Sequence, residues 1–277
     1  MAPAASAVLV AYDYGEGNEI PPFGFAGWDY VGFVNDLSGV YLGDGWVLTA
    51  HHVGPGDFEL DGTTYHWLPG TDVRLQNTDG SPADLVVFSI YPHPPDLPPL
   101  ALRSEPPVVG DFVVMVGCGR NRGEPTSWDP NGEAFPPPEL EGWTWGPERN
   151  KVWGTNNVDG FPGSKILGTV AFYTSFDDDE IFPEAQVTDG DSGGALFIVS
   201  GTTVELAGLL YAEAASPGQP EDTSLFSNLS LAARIDFYYD DIQTAMALPE
   251  PQHGLLWGLM ALIVLARARL SSQVGRG

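Results

Sequence analysis

The chain has 277 residues, enough for one large or two small domains, and 43% hydrophobic residues with a mean hydropathy of −0.06 exclude an intrinsically disordered protein. Its 37 acidic against 11 basic residues leave a formal charge of −26, which excludes nucleic acid and anionic membrane surfaces as favoured partners, because phosphate recognition needs a basic face. The charge suits a solvated acidic surface on an exported or salt-tolerant protein. In chain order, residues 1–20 read either as a signal-peptide remnant or as a first strand. Ala5-Ser6-Ala7 fits a small-x-small cleavage pattern, but neither a basic n-region nor a full apolar h-region precedes it. With 34 Gly and 25 Pro, the following chain is rich in turns. Short apolar runs recur between them: GVYL, GWVLTA, DLVVFSI, DFVVMVG, KILGTVAFYT, GALFIV and VELAGLLY. That rhythm predicts an all-β sandwich or barrel. Gly39–Val53 reads as a β-hairpin around the Gly43-Asp44-Gly45 turn. The single cysteine, Cys118, lies in the apolar run VVMVGCG, so it is expected to be a buried thiol and no internal disulfide can form.

Asn121–Asn157 reads as a long loop rich in Pro, Gly and Trp. Its Trp128, Trp143 and Trp145 either pack the loop down or offer a surface to carbohydrate or peptide. The acidic tetrad Asp177–Glu180 lacks the alternating ligands and glycine of a calcium loop, so it reads as surface and no metal site is expected. A C-terminal helix is expected around Ile235–Met246, with Asp236 as N-cap and Ile235, Tyr239, Ile242 and Met246 on one face. Beyond Leu248 the composition changes. Pro249-Glu250-Pro251 is followed by the 13-residue apolar run Gly254–Ala266 and then by Arg267 and Arg269. As a helix that run rises about 20 Å, short of the roughly 30 Å of a hydrocarbon core.

The stretch TDGDSGGALF, Thr188–Phe197, surrounds Ser192 with glycines. A serine hydroxyl needs a base to take its proton and N–H donors aimed at the oxyanion it creates. Glycines permit the tight turn that exposes such donors at Gly190 and Ser192. The same letters fit the elbow of α/β-hydrolases, in which the base histidine follows the serine. Here only His253 follows Ser192, and it lies in the C-terminal tail, so that reading fails. The histidines that precede it include Leu48-Thr49-Ala50-His51-His52 at the end of the predicted hairpin. This segment, the Ser192 motif and Asp84-Leu85-Val86-Val87 together resemble the trypsin-like serine proteases of chymotrypsin fold. The resemblance spans about residues 28–247.

The resemblance implies two six-stranded antiparallel β-barrels with a short C-terminal helix, divided near residue 105 into 21–105 and 106–248. It also implies His52 as general base, Asp84 as its orienting partner and Ser192 as nucleophile, with His51 a bystander. Gly190 and Ser192 N–H groups would form the oxyanion hole, and Gln186, Tyr211 and Glu213 would shape the substrate pocket. The substrate would be a protein or peptide, and no cofactor is implied. The tail, residues 249–277, resembles a PEP-CTERM sorting signal with a short hydrophobic helix. That resemblance implies an exosortase-type sorting enzyme, transient membrane association through residues 254–266, and export to the periplasm, cell envelope or exterior of a Gram-negative bacterium.

The chain departs from the family pattern in places. In trypsin, cleavage after a basic residue frees a hydrophobic N-terminus that pairs with the aspartate before the serine, here Asp191. No Arg or Lys precedes Arg74, so Asp191 needs another partner or an N-terminus made differently. Gln186 stands where trypsin has its pocket-floor acid, so a strong Arg/Lys preference is not implied. Tyr211 and Glu213 crowd or polarise the pocket, and Tyr211 replaces a serine that contacts the catalytic aspartate. A non-catalytic surface module on a protease fold, and an esterase using the same triad, are the alternative readings.

Overall fold

Tight turns set the first half of the molecule. Asn35-Asp36, Asp44-Gly45 and Asp61-Gly62 each place both residues at positive φ, between 49° and 82°. Such pairs match the right-handed twist of the strands they join, and Asn, Asp and Gly tolerate the conformation best. The computed structural model describes residues 8–11, 18–21, 24–94, 97–130, 140–178 and 184–248. The tail expected to be a sorting signal, and Asp179 and Glu180 of the acidic tetrad, lie outside the described residues. A short strand β1 (Leu9–Val10) and a 3₁₀ turn at Ala26–Tyr30 precede the first barrel. Its strands are β2 (Val31–Val34), β3 (Leu37–Gly43), β4 (Trp46–Thr49), β5 (Phe58–Leu60), β6 (Thr63–Trp67), β7 (Val73–Gln76) and β8 (Pro82–Tyr91). They pair in the order β4-β3-β2-β5-β6-β8-β7, and β4 pairs back onto β8, closing a six-stranded barrel with β7 outside the ring. Leu48, Phe58, Leu85, Val87 and Phe88 are fully buried in its core, where apolar burial contributes about 1.5–3 kcal/mol for each large side chain.

The second half contains β9 (Phe112–Gly117), β10 (Arg120–Trp128), β11 (Leu140–Arg149), β12 (Val152–Asn157), β13 (Ala171–Ser175), β14 (Ala185–Gln186), β15 (Ala195–Ser200), β16 (Thr203–Ala214), β17 (Thr223–Leu225) and β18 (Leu229–Arg234). Six of these form a curled sheet in the order β12-β9-β15-β16-β18-β13. It is not the second closed barrel that the family pattern predicts. No ladder joins β12 to β13; the seam is filled by the Asn156 amide, which donates to Ser175 O at 2.7 Å and Ala185 O at 3.1 Å. The segment Asn121–Asn157, expected as a loop, is largely strand. β10 and β11 form a hairpin extended by β17, because backbone pairing satisfies polar groups that a loop would leave to water. Trp143 packs against Phe176 and Phe226, as one of the two readings expected.

The helix α1 (Ile235–Met246) follows β18 directly. Its buried face is Ile235, Tyr238, Ile242 and Ala245, one residue removed from two of the expected positions. Arg234, not Asp236, is the N-cap; Asp236 sits in the first turn and pairs with the Arg234 guanidinium. The Tyr238 hydroxyl donates to Asn77 Oδ1 of the first half and accepts from Val170 N of the second, so the helix ties the two together. Cys118 is fully buried, and burial pushes its thiol up to about 12.

Candidate active site

The β3–β4 hairpin delivers His52 and the barrel closure delivers Asp84. β4 pairs with β8 so that Thr49 stands opposite Val86. The turn after β4 therefore meets the first residues of β8, and His51 N donates to Asp84 O at 3.2 Å. The Asp84 carboxylate then grips His52 at two points. Oδ1 accepts from His52 N at 2.9 Å, and Oδ2 lies 2.6 Å from His52 Nδ1. Burial alone would raise the Asp84 carboxyl, but the hydrogen bonds and charge of His52 hold it below its ordinary value. In return the Asp84 hydrogen bond raises His52 above its usual 6.5, against partial desolvation. The Asp84 N–H donates to Thr169 Oγ1 at 2.9 Å, an anchor from the second half.

Ser192 comes from the turn between β14 and β15. Gly190 and Gly193 have φ of +105° and +90°, a region L side chains rarely adopt. A Cβ on Gly193 would run into Ser38 O and Thr49 Oγ1, so the first barrel approaches this turn at backbone distance. Ser38 N donates to Ser192 O at 3.0 Å, and Ser38 Oγ donates to Gly190 O at 2.9 Å. Ser38 and Thr49 lie on adjacent strands, and Thr49 Oγ1 donates to Ser38 O at 2.7 Å. The turn holding Ser192 is thus fastened to the strand pair that ends at His52. Among the described residues, neither Gly190 N–H nor Ser192 N–H has a protein acceptor.

Asp191 is fully buried, yet it finds the partners the sequence left open. Its carboxylate accepts from Thr188 N at 2.8 Å, Gly119 N at 2.8 Å, Thr188 Oγ1 at 3.0 Å and Val8 N at 3.3 Å. Burial pushes its carboxyl up to about 6 in spite of these donors. Val8 precedes β1, whose Leu9 and Val10 pair with Gln186 and Ala185.

A cavity of about 470 Å³ adjoins Ser192, walled by Trp145, Val187, Leu210, Tyr211 and Glu213 among others. Tyr211 and Glu213 line it, whereas Gln186 is not part of the lining. Gln186 is fully buried behind it, its amide oxygen accepting from Ser230 Oγ at 3.0 Å and its nitrogen donating to Leu229 O. The Tyr211 hydroxyl donates to Ile166 O at 3.2 Å, not to Asp84. Asp189 and Asp222 in the wall are each paired, with Arg149 at 2.6 Å and Arg120 at 2.8 Å. Glu213 keeps an exposed surface, but the crowded walls and the charges of Asp189 and Asp191 push its carboxyl up to about 7. Trp145, named from the sequence only as packing or as a carbohydrate or peptide surface, lies in the cavity wall, whereas Arg120, Arg149 and Thr169 were not singled out from the sequence. The scarcity of basic residues, 11 against 37 acids, was a signal that the arginines could have carried. Among the described residues no group of three or more His, Cys, Asp or Glu side chains is disposed to hold a metal ion.

A strand-closed barrel, a curled second sheet, a histidine–carboxylate pair and a glycine-framed serine turn fit the class of chymotrypsin-like peptidase folds. The family model for the trypsin-like peptidase domain matches residues 37–204, and the chain belongs to that family. Mouse neuropsin, a serine protease, is similar in structure at a TM-score of 0.52, with 20% identity over 83% of this chain and 99% of that one. The Rv3671c protease of M. tuberculosis aligns at a TM-score of 0.48, with 15% identity over 80% of this chain and 91% of that one. No curated protein sequence matches the chain.

Proposed function

We propose that the chain is an exported serine endopeptidase working through an acyl-enzyme. The observation that carries this reading is the two-point grip of Asp84 on His52, on the strand pair that also fastens the Ser192 turn. In this reading Nδ1–H of His52 faces Asp84 and Nε2 takes the proton from Ser192 Oγ. The oxygen attacks the peptide carbonyl carbon, and the resulting oxyanion accepts hydrogen bonds from Gly190 and Ser192 N–H. Collapse breaks the C–N bond as His52 returns the proton to the leaving amine. Water, deprotonated by His52, then cleaves the acyl ester and restores Ser192.

A fluorophosphonate probe tests this on the full chain. Label should map to Ser192 by mass spectrometry and vanish in Ser192→Ala and His52→Ala. A folded protein that takes no label would remove the peptidase reading and favour a binding module. A second expectation follows from the raised His52. Only neutral His52 can accept the proton, so kcat/KM should fall as pH drops through its folded value, which lies above 6.5. An acid limb centred below 6.5 in the pH profile would contradict this.

Export belongs to the same proposal. Ala5-Ser6-Ala7 ends immediately before Val8, whose N–H lies 3.3 Å from Asp191. Cleavage there would place an α-amine beside the buried carboxylate. The Pro249-Glu250-Pro251 segment, the apolar run 254–266 and the basic end support handling by an exosortase-type enzyme with transient membrane association, in the envelope or exterior of a Gram-negative bacterium. Among the described residues no helix is long and apolar enough to cross a membrane.

A further inference from the structure

The usefulness of Gly190 N–H to an oxyanion depends on the direction in which the Asp189–Gly190 peptide faces. In a trans peptide the C=O and the following N–H point to opposite sides. Asp189 O accepts from Arg120 N at 2.8 Å, which turns Gly190 N–H the other way. A glycine at φ +105° is free to swing, so this single bond is a weak lock.

A second lock comes from Arg149, the last residue of β11. Its Nη2 pairs with Asp189 Oδ2 at 2.6 Å, and its Nη1 donates to Asp36 O at 3.0 Å. Asp36 belongs to the β2–β3 turn of the first barrel, so the guanidinium spans the two halves of the molecule. It also closes on the turn: a Cβ on Gly190 would stand 2.5 Å from Arg149 Nη1 and 2.8 Å from Gly119 Cα. The space a side chain would need at Gly190 is thus taken by a guanidinium and a glycine backbone. The planar fork of arginine suits two acceptors at once, which a lysine ammonium cannot match in geometry.

We propose that Arg149 is a positioning residue for the oxyanion-binding turn: by clamping Asp189 to the Asp36 carbonyl it keeps Gly190 N–H directed into the site. The proposal rests on the serine peptidase reading. Removing one oxyanion donor from a protease costs about 10²–10³ in kcat, so loosening one donor should cost about 10–100-fold. In the full chain, Arg149→Ala should lower kcat by that factor with KM within about two-fold, because the guanidinium itself does not line the cavity beside Ser192. A peptide aldehyde, which forms a tetrahedral adduct with serine, should weaken by the same factor. Arg149→Lys should recover part of the loss.

Asp189→Ala removes the acceptor and opens the clamp from its other end, and it guards against misfolding of one variant. It should show a similar loss, and the double variant should lose little more than either single one. Full turnover in Arg149→Ala, a change in KM alone, or additive losses in the double variant would each overturn the clamp. Failure of the wild-type chain to label at Ser192 would overturn the peptidase reading itself, and the clamp with it.

Discussion

Asp84→Asn is expected to lower kcat by about 10⁴-fold while leaving the fold intact. The carboxylate has two separate tasks. Oδ1 takes the His52 backbone N–H at 2.9 Å, and an asparagine oxygen can do the same. Oδ2 faces Nδ1 at 2.6 Å, where asparagine would present an NH₂ donor. A donor there selects the tautomer with its proton on Nε2, the wrong nitrogen for accepting a proton from Ser192. The histidine would also lose the hydrogen bond that raises it, so residual activity should carry a lower acid limb than wild type. The Asp84 N–H bond to Thr169 Oγ1 involves the main chain and survives the substitution. Steady-state kinetics with a peptide substrate, together with a thermal melt, would check this. Retention of a tenth or more of wild-type kcat would remove Asp84 from the proposed machinery.

The second large effect concerns Asp191 and the start of the folded chain. A chain beginning at Val8 should be more stable near pH 7 than the same chain carrying residues 1–7. In the longer chain Asp191 is buried with neutral donors, and burial pushes its carboxyl to about 6, above its ordinary 3.8. The folded state then binds more protons than the unfolded state between these values. Stability is therefore highest below about pH 4 for this group and declines as pH rises toward 6, by a total of about 3 kcal/mol. A free Val8 amine, ordinarily protonated below about pH 8, would sit beside the carboxylate and favour its charged form. Asp191 should then titrate lower, and the pH-dependent loss should move to the alkaline side, where the amine gives up its proton.

Backbone geometry points the same way. Val8 has φ 42°, an outlier for a β-branched residue, and an N-terminal residue has no φ to strain. Urea midpoints measured from pH 4 to 9 on the two chains, with an N-acetylated Val8 chain as control, would separate the cases. The acetylated chain should follow the longer one. Superimposable curves for all three would show that no ion pair forms at Asp191.

Much of this protein was decided by residues close together in sequence. Asp44-Gly45 and Asp61-Gly62 specify two-residue hairpins because their backbone preferences are local. The Ser192 turn is legible for the same reason: glycine is required wherever φ is positive or a strand passes at backbone distance, and Gly190 and Gly193 meet those conditions. The order His52, Asp84, Ser192 could be read along the chain, and the strand pairing of β4 with β8 accounts for the first pair.

Tertiary structure alone decided the rest. The segment Asn121–Asn157 looked like a loop because its Pro and Gly interrupt any short-range pattern, yet β10 and β11 are stabilised by pairing with each other and with the distant β17. Gln186 occupied a pocket position by count, but pairing of β14 with β1 and its bonds to Leu229 and Ser230 hold it behind the wall. Arg149 carried no local signal, and the Ala5-Ser6-Ala7 pattern before Val8 did not reveal its partner, since Asp36, Asp189 and Asp191 lie far along the chain. Local conformational preference is written in neighbouring residues. A buried charge or a clamp across two halves of a fold depends on which distant groups the packed chain brings together, and only the folded molecule specifies that.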